Sequence, residues 1–230
     1  MVEYDYVIGY DQVTLYALNG LIDKKIAING YREIYRLKDR VDVVIRNSGL
    51  PYPPITVIPE ARILMYEPDF SAIVYADLNY RYVKGYLHPY VEISLPFLLY
   101  APSELKSLVL AHEFLHYIYM AIRYVTADYL INPLIYTGEL TGRELLEDIY
   151  TVSPFKVFTN KRFASRVEKI GGILESSKIS DLVKERWIDR GMPSRSIDAD
   201  EFRVKLTFSM WREMFFPEEV LRKARMLSSG

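Results

Sequence analysis

Hydrophobic residues recur at helical spacing in two segments of the first half of the chain. In residues 31–47, apolar side chains return every three or four positions with charged residues between them, which predicts an amphipathic helix. Ser48-Gly49 and the prolines that follow indicate that this helix ends there. A longer helix is predicted from Ala101-Pro102-Ser103-Glu104 to about Val125, because proline suits the first turn of a helix and glutamate suits its positive end.

Between these helices the pattern changes to short runs of β-branched and aromatic residues, which predict strands. The runs cover residues 55–58, 61–65, 71–75 and 90–95. Residues 1–28 are rich in tyrosine and show no clear periodicity. Asn19-Gly20 and Asn29-Gly30 are expected to form turns, because both pairs are typical turn sequences.

After the second long helix, the pattern predicts helices and no further strands. The predicted helices cover roughly residues 141–151, 161–177, 179–190, 199–215 and 217–228. Strands that are segregated from helices favour an α+β fold over an alternating parallel sheet. We expect an N-terminal extension at residues 1–28, a subdomain at 29–135 that contains the strands, and a helical C-terminal subdomain at 136–230.

Composition excludes several classes of protein. Half of the 230 residues are hydrophobic, enough for a sizeable core, and the net charge of −1 provides no basic field for nucleic acid. The absence of cysteine excludes disulfides, cysteine zinc sites and thiol nucleophiles. No apolar run approaches the roughly 20 residues of a membrane span, and the N-terminus lacks a signal-peptide pattern, so a cytoplasmic protein is expected. Twenty tyrosines and a single glutamine are typical of a thermophile.

The candidate chemistry lies in the second long helix, in the sequence Leu110-Ala-His112-Glu113-Phe-Leu-His116-Tyr117-Ile118. His112 and His116 are one helical turn apart on the same face, so both imidazoles can reach one cation. Glu113, beside the first histidine, can take a proton from a metal-bound water, the general-base role in metal-assisted hydrolysis. The surrounding residues are apolar nearly all round the helix, which predicts that it is buried.

This segment resembles the active-site helix of the zincin metallopeptidases, including their uncharged residues on both sides of the H-E-x-x-H motif. The order of one backing helix, a small sheet and then the motif helix also resembles the zincin N-terminal subdomain. The resemblance implies a zincin-like α+β fold in which a backing helix and a small mixed sheet pack on the long motif helix. It also implies a Zn²⁺ ion bound by His112 and His116, and a peptide or protein substrate held along a sheet edge around residues 79–87.

A hydrolytic zinc site needs a third protein ligand. The metzincin and SprT-like patterns are excluded, because no third histidine follows His116. Glu144-Leu-Leu-Glu-Asp148-Ile-Tyr150 resembles the glutamate helix of thermolysin-like gluzincins, which implies Glu144 as the third ligand. Asp148, on the same helix face, would accept a hydrogen bond from a ligand histidine. The alternative ligands are Glu139, Glu147 and His88, and the donor for a developing oxyanion would be a tyrosine such as Tyr136 or Tyr150.

Two functions of different class follow from these residues. The first is a zinc-dependent metallopeptidase of gluzincin type. The second is a zincin-fold binding or regulatory protein whose metal is structural or absent. Glu113 favours the first, because a structural metal site has no use for a general base. The sequence sets neither the peptide specificity nor the oligomeric state.

Overall fold

The computed structural model describes residues 7–67, 70–126, 152–198 and 208–229. The strands are β1 (Val7–Ile8), β2 (Ile55–Ile58), β3 (Ala61–Glu67), β4 (Phe70–Val74), β5 (Ala76–Val83), β6 (Tyr86–Ser94) and β7 (Ser194–Asp198). The helices are α1 (Tyr10–Leu18), α2 (Lys24–Ser48), α3 (Leu95–Tyr100), α4 (Ser103–Val125), α5 (Pro154–Val157), α6 (Lys161–Glu168), α7 (Ile170–Ser176), α8 (Ile179–Arg186), α9 (Phe208–Arg212) and α10 (Glu218–Ser228). The α+β class is therefore confirmed.

Helix α2 begins earlier than the pattern predicts. Asp23 caps it by accepting a hydrogen bond from the Ile26 amide at 2.8 Å, and it ends at Gly49, whose φ of 69° suits glycine. The turn expected at Asn29-Gly30 is wrong, because both residues lie inside the helix. Gly30 is buried, and a Cβ atom there would lie 3.1 Å from Cδ1 of Leu95. Glycine at this position therefore lets α2 approach α3 closely.

The strands form two sheets. The larger has the order β1-β2-β6-β5, in which β1, β2 and β6 are parallel and β5 is antiparallel to β6. The smaller has the order β4-β3-β7, with β4 antiparallel and β7 parallel to β3. Strand β5 is therefore an edge strand of the larger sheet among the described residues. It overlaps the edge that was expected around residues 79–87.

Strand β7 corrects the prediction that only helices follow the long motif helix. Its sequence, Ser-Arg-Ser-Ile-Asp, has one apolar residue, Ile197, so no alternating hydrophobic pattern indicates a strand. The strand forms because it pairs with β3 from Ala61 to Met65, a contact that is distant in sequence. The predicted helix 161–177 is also interrupted at Lys169, which separates α6 from α7. Predicted helix 141–151 lies outside the described residues, as does the first half of 199–215.

The core is built around α4, which contacts α2, β5, α6, α7 and α10. Helix α10 packs on α4, and just before it the Phe216 ring lies 5.4 Å from Tyr117 and 5.5 Å from Tyr124, between ring centres. The residues before α10 also bond to the larger sheet: the Leu87 amide donates to the Glu213 carbonyl at 2.8 Å, and the Phe215 amide donates to the Leu87 carbonyl at 3.0 Å. The division of the chain at residues 28 and 135 stays a prediction.

None of the described helices is both long and apolar enough to span a membrane.

Candidate metal centre

Helix α4 holds the candidate site in a buried position. Pro102 precedes it, Glu104 lies in its first turn, and Thr126 ends it. Most of its length is apolar and buried, as the sequence predicts for a helix that is hydrophobic nearly all round. His112 and His116 are half-buried on this helix, so a polar pair interrupts an apolar surface.

The structure brings His112, Glu113 and His116 together into one cluster. One possible ligand atom from each residue lies within 4.8 Å of the others, and no other group of this kind is found among the described residues. The Nε2 atoms of the two histidines are 3.1 Å apart, and their rings are perpendicular, with an interplanar angle of 89°. Both ring nitrogens therefore point toward a common region of space.

The spacing of these nitrogens fits a tetrahedral zinc ion. Two nitrogens, each about 2.05 Å from zinc and separated by the tetrahedral angle, lie about 3.3 Å apart. The observed Nε2–Nε2 distance of 3.1 Å is close to that value. The separation of the two nitrogens is therefore compatible with both histidines binding one ion.

The protonation of His112 also suits a metal ligand. Burial lowers the pKa of its imidazole from 6.5 to about 4, because the charged form loses hydration. The ring is therefore neutral at pH 7, and a neutral imidazole has the lone pair that a metal requires.

Glu113 is buried, with 6% of its surface exposed, and its charge acts on two neighbours that the sequence analysis did not select. One is Tyr52, whose hydroxyl donates a hydrogen bond to the Leu110 carbonyl at 2.8 Å and whose ring stacks on Phe114. Burial raises the pKa of Tyr52, and the Glu113 carboxylate raises it further. Tyr52 therefore holds the turn of α4 from which His112 and Glu113 project. A tyrosine between two prolines gives no sequence signal for this role.

The second neighbour is Arg62, which is 5% exposed on β3. Its guanidinium lies 2.5 Å from Asp77 and donates to Glu92 at 3.2 Å, so it joins the two sheets. Burial alone would lower the pKa of Arg62, but the charges of Asp77, Glu92 and Glu113 raise it. An arginine inside an otherwise apolar strand is a sequence signal that could have identified this residue.

Glu92 and Tyr90 complete the charged network on β6. The Tyr90 hydroxyl donates to Glu92 at 2.9 Å, and burial together with the charge of Asp77 raises the pKa of Glu92. Arg81 of β5 lies over the Tyr90 ring, 5.1 Å from its centre. The network therefore links the edge strand β5 to the strand that carries the buried arginine.

The other candidate residues are either elsewhere or outside the described residues. His88 lies on β6 opposite Arg81, and its ring centre is 4.8 Å from that of Phe215, so it is not part of the α4 cluster. The remaining candidates from the sequence lie between residues 136 and 150, outside the described residues: Tyr136, Glu139, Glu144, Glu147, Asp148 and Tyr150.

Comparison with known proteins identifies no relative of this chain. The structure itself shows a cluster with the H-E-x-x-H arrangement on a buried helix. No family model matches the chain, and neither a curated protein nor a solved structure gives a significant match.

Proposed function

We propose that the protein is a zinc-dependent metallopeptidase of gluzincin type. The observation that carries this proposal is the convergence of His112, Glu113 and His116 on one turn of the buried helix α4. Two imidazole nitrogens at tetrahedral spacing suit zinc, and a carboxylate beside them suits hydrolysis. A zincin-like fold agrees with α2 behind the motif helix and with β5 at a sheet edge.

In this proposal each residue has a distinct task. Zinc, when bound, supplies a Lewis acid that polarises the peptide carbonyl and acidifies water. His112 and His116 hold the ion, and Glu113 accepts the proton of the attacking water and then delivers it to the leaving amine. Tyr52 fixes the α4 turn that holds Glu113, through its hydrogen bond to Leu110. The substrate would lie along β5 and form main-chain hydrogen bonds with that strand.

The experiment that tests the proposal combines metal analysis with hydrolysis of casein and a peptide library. The wild type should bind one zinc ion and cleave substrate. Glu113→Gln should keep the zinc and lose about a hundredfold or more of the activity, because the amide has the shape of the carboxylate but accepts no proton. Glu104→Gln is the matched control, since Glu104 is on the same helix, exposed, and paired with Arg166. The control should retain wild-type activity.

The possible results separate the candidate functions. Zinc binding without cleavage of any substrate would favour a zincin-fold binding or regulatory protein with a structural metal. Cleavage by Glu113→Gln within a few-fold of the wild-type rate would contradict the mechanism. Absence of zinc after incubation with the metal, together with an unchanged melting temperature in chelator, would contradict the metal site, because a bound ion stabilises the native state.

The third ligand in this proposal is Glu144, with Asp148 as its neighbour in the outer shell. Glu144→Ala should weaken zinc binding most, because it opens the coordination sphere. Asp148→Ala should weaken it less, by about 10–100-fold as is typical for outer-shell residues. Glu139→Ala should have the smallest effect. Zinc affinity measured by competition with a chelator gives this order, and a larger loss for Glu139→Ala than for Glu144→Ala would assign the third ligand to Glu139 instead.

A further inference from the structure

A cluster of cations surrounds a single carboxylate where α2 packs against α4. Glu33 accepts hydrogen bonds from Lys106 at 2.6 Å, from Arg40 at 3.0 Å and from Arg36 at 3.2 Å. The side chains of Lys106 and Arg40 are almost fully buried, at 5% and 8% exposed, whereas the Arg36 side chain is 61% exposed. One carboxylate therefore balances three cations, two of which are removed from solvent.

This arrangement leaves an excess of positive charge in a poorly solvated place. The Nε and Nη1 atoms of Arg40 are buried and have no hydrogen-bond partner among the described residues. A buried cation without a full set of partners is costly. An anion bound nearby would lower this cost.

A cavity of about 280 Å³ lies beside the cluster, between α2 and the end of α3. Its polar wall consists of Asn29, Arg32, Glu33, Arg36 and Tyr100. Arg32 and Arg36 are one turn apart on α2, so their guanidinium groups project toward the same side of the helix. Both arginines line the cavity, whereas the buried Arg40 and Lys106 lie beyond its wall and contact it through Glu33.

Further charged groups lie near Tyr100, which lines this cavity. The Tyr100 hydroxyl donates to the Arg186 carbonyl at 3.3 Å, which places α8 near the cavity wall. Burial raises the pKa of Tyr100, the positive charges of Arg190 and Arg186 lower it, and the negative charge of Asp23 raises it. The charged groups around Tyr100 are therefore of both signs, and the two arginines outnumber the one aspartate.

A second, more open cavity of about 660 Å³ adjoins the first and shares Arg32 and Arg36 with it. The rest of its wall consists of the aromatic Tyr10, Tyr31 and Tyr35 and the acidic Asp39. The ring centres of Tyr10 and Tyr31 are 6.0 Å apart, and Tyr35 is 78% exposed. An aromatic surface therefore continues directly from the arginine pair.

We propose that these two cavities bind one small aromatic phosphomonoester of the mononucleotide class. The phosphate would lie in the smaller cavity between Arg32 and Arg36, because planar guanidinium forks match phosphate oxygens and a dianion offsets the excess positive charge. The aromatic ring would stack on the tyrosines of the larger cavity, since every base has a face that stacks on aromatic side chains. This site is independent of the α4 histidines and of the proposed peptidase activity.

The test is a calorimetric titration of the full chain with adenosine 5′-monophosphate, ribose 5-phosphate, inorganic phosphate and adenosine. The proposal expects saturable binding that is tightest for the nucleotide, weaker for the two phosphates without a base, and absent for adenosine. Arg32→Gln and Arg36→Gln should each weaken nucleotide binding about tenfold, the loss of one charge-assisted hydrogen bond. Arg46→Gln is the control, because Arg46 is an exposed arginine of the same helix that lines neither cavity. It should leave the affinity within about twofold.

Three results would overturn the proposal. The first is no saturable binding of the nucleotide. The second is equal affinity for the nucleotide and for inorganic phosphate, which would show that the base does not stack on the tyrosines. The third is an equal loss of affinity in Arg46→Gln and in the two cavity variants, which indicates non-specific charge attraction. Melting curves of all three variants establish that they are folded, and both cavity arginines are exposed, so their replacement leaves the core intact.

Discussion

Glu33→Gln should destabilise the protein far more than the loss of an ordinary surface ion pair. The carboxylate of Glu33 binds Lys106, Arg40 and Arg36, and its own side chain is only 14% exposed. The amide of glutamine would keep the shape of this side chain and remove its negative charge. Two buried cations would then face each other without an anion between them.

The expected cost follows from this burial. Removing one partner of a buried ion pair typically costs 3–5 kcal/mol, and the remaining solvent contact of Glu33 favours the lower end, about 3 kcal/mol. For a chain of this size, each kcal/mol lowers the melting temperature by about 2–4 °C, so a decrease of about 6–12 °C is expected. Glu218→Gln is the control, because Glu218 and its partner Arg225 are 73% and 57% exposed, and such pairs contribute about 0–1 kcal/mol.

The assay is urea unfolding at pH 7, followed by the fluorescence of the buried Trp187 and Trp211. The double variant Glu33→Gln/Lys106→Met should lose less stability than the sum of the two single variants, because the methionine no longer requires an anion. The reasoning would be refuted if the stability loss of the double variant equalled the sum of the two single losses. It would also be refuted if Glu33→Gln lost no more stability than Glu218→Gln.

The same cluster predicts that the stability of the protein depends on pH. Burial alone would raise the pKa of Glu33, but the hydrogen bond and charge of Lys106, the charge of Arg40 and the hydrogen bond from Arg36 together lower it below 4.5. A carboxylate whose folded-state pKa is lowered contributes stability that is complete above its unfolded-state pKa and is lost as the pH falls through the folded-state value. The difference in the free energy of unfolding between wild type and Glu33→Gln should therefore be constant near neutral pH. It should shrink on acidification below about pH 4.

Two further substitutions test the packing near the site. Tyr52→Phe should cost about 1 kcal/mol in urea unfolding, because it removes the buried hydrogen bond to Leu110 while keeping the ring on Phe114; an unchanged unfolding midpoint would contradict this role. Gly9→Ala should cost about 1–3 kcal/mol through overpacking, because its new Cβ would lie 2.7 Å from Cβ of Val57 and the φ of Gly9 is 155°. A melting temperature equal to that of the wild type would show that β2 shifts freely.

Elements that depend on local sequence were predicted well, and those that depend on distant contacts were not. Helix α4 and strand β2 match their predicted bounds closely, because a period of 3.6 and a short β-branched run between turns are local signals. Helix α3 was missed because it is only 6 residues long and almost entirely apolar, so its sequence shows no helical periodicity. Strand β7 was missed because its stability comes from β3 rather than from its own residues.

The candidate site shows the same division. His112, Glu113 and His116 could be predicted from their spacing alone, because one turn of helix fixes their relative positions. Tyr52 gives no sequence signal, and the position of Arg62 in an apolar strand does not show that it lies near Glu113, because tertiary packing alone brings these charges together. The proposed third ligand, Glu144, lies outside the described residues and stays a prediction.

The bonds between Leu87 and residues 213–215 affect the order in which the chain can fold during synthesis. The pair formed by Tyr82 and Glu213 spans 131 residues, and Val220 and Ala224 of α10 are fully buried. The helix that carries His112 and His116 therefore lacks part of its covering until residues near 224 have left the ribosome. Contacts of such long range are slow to form, and a nascent chain would expose the apolar surface of α4 in the meantime. The covering of the helix that carries the candidate metal centre is thus completed late, after residues near 224 have been made.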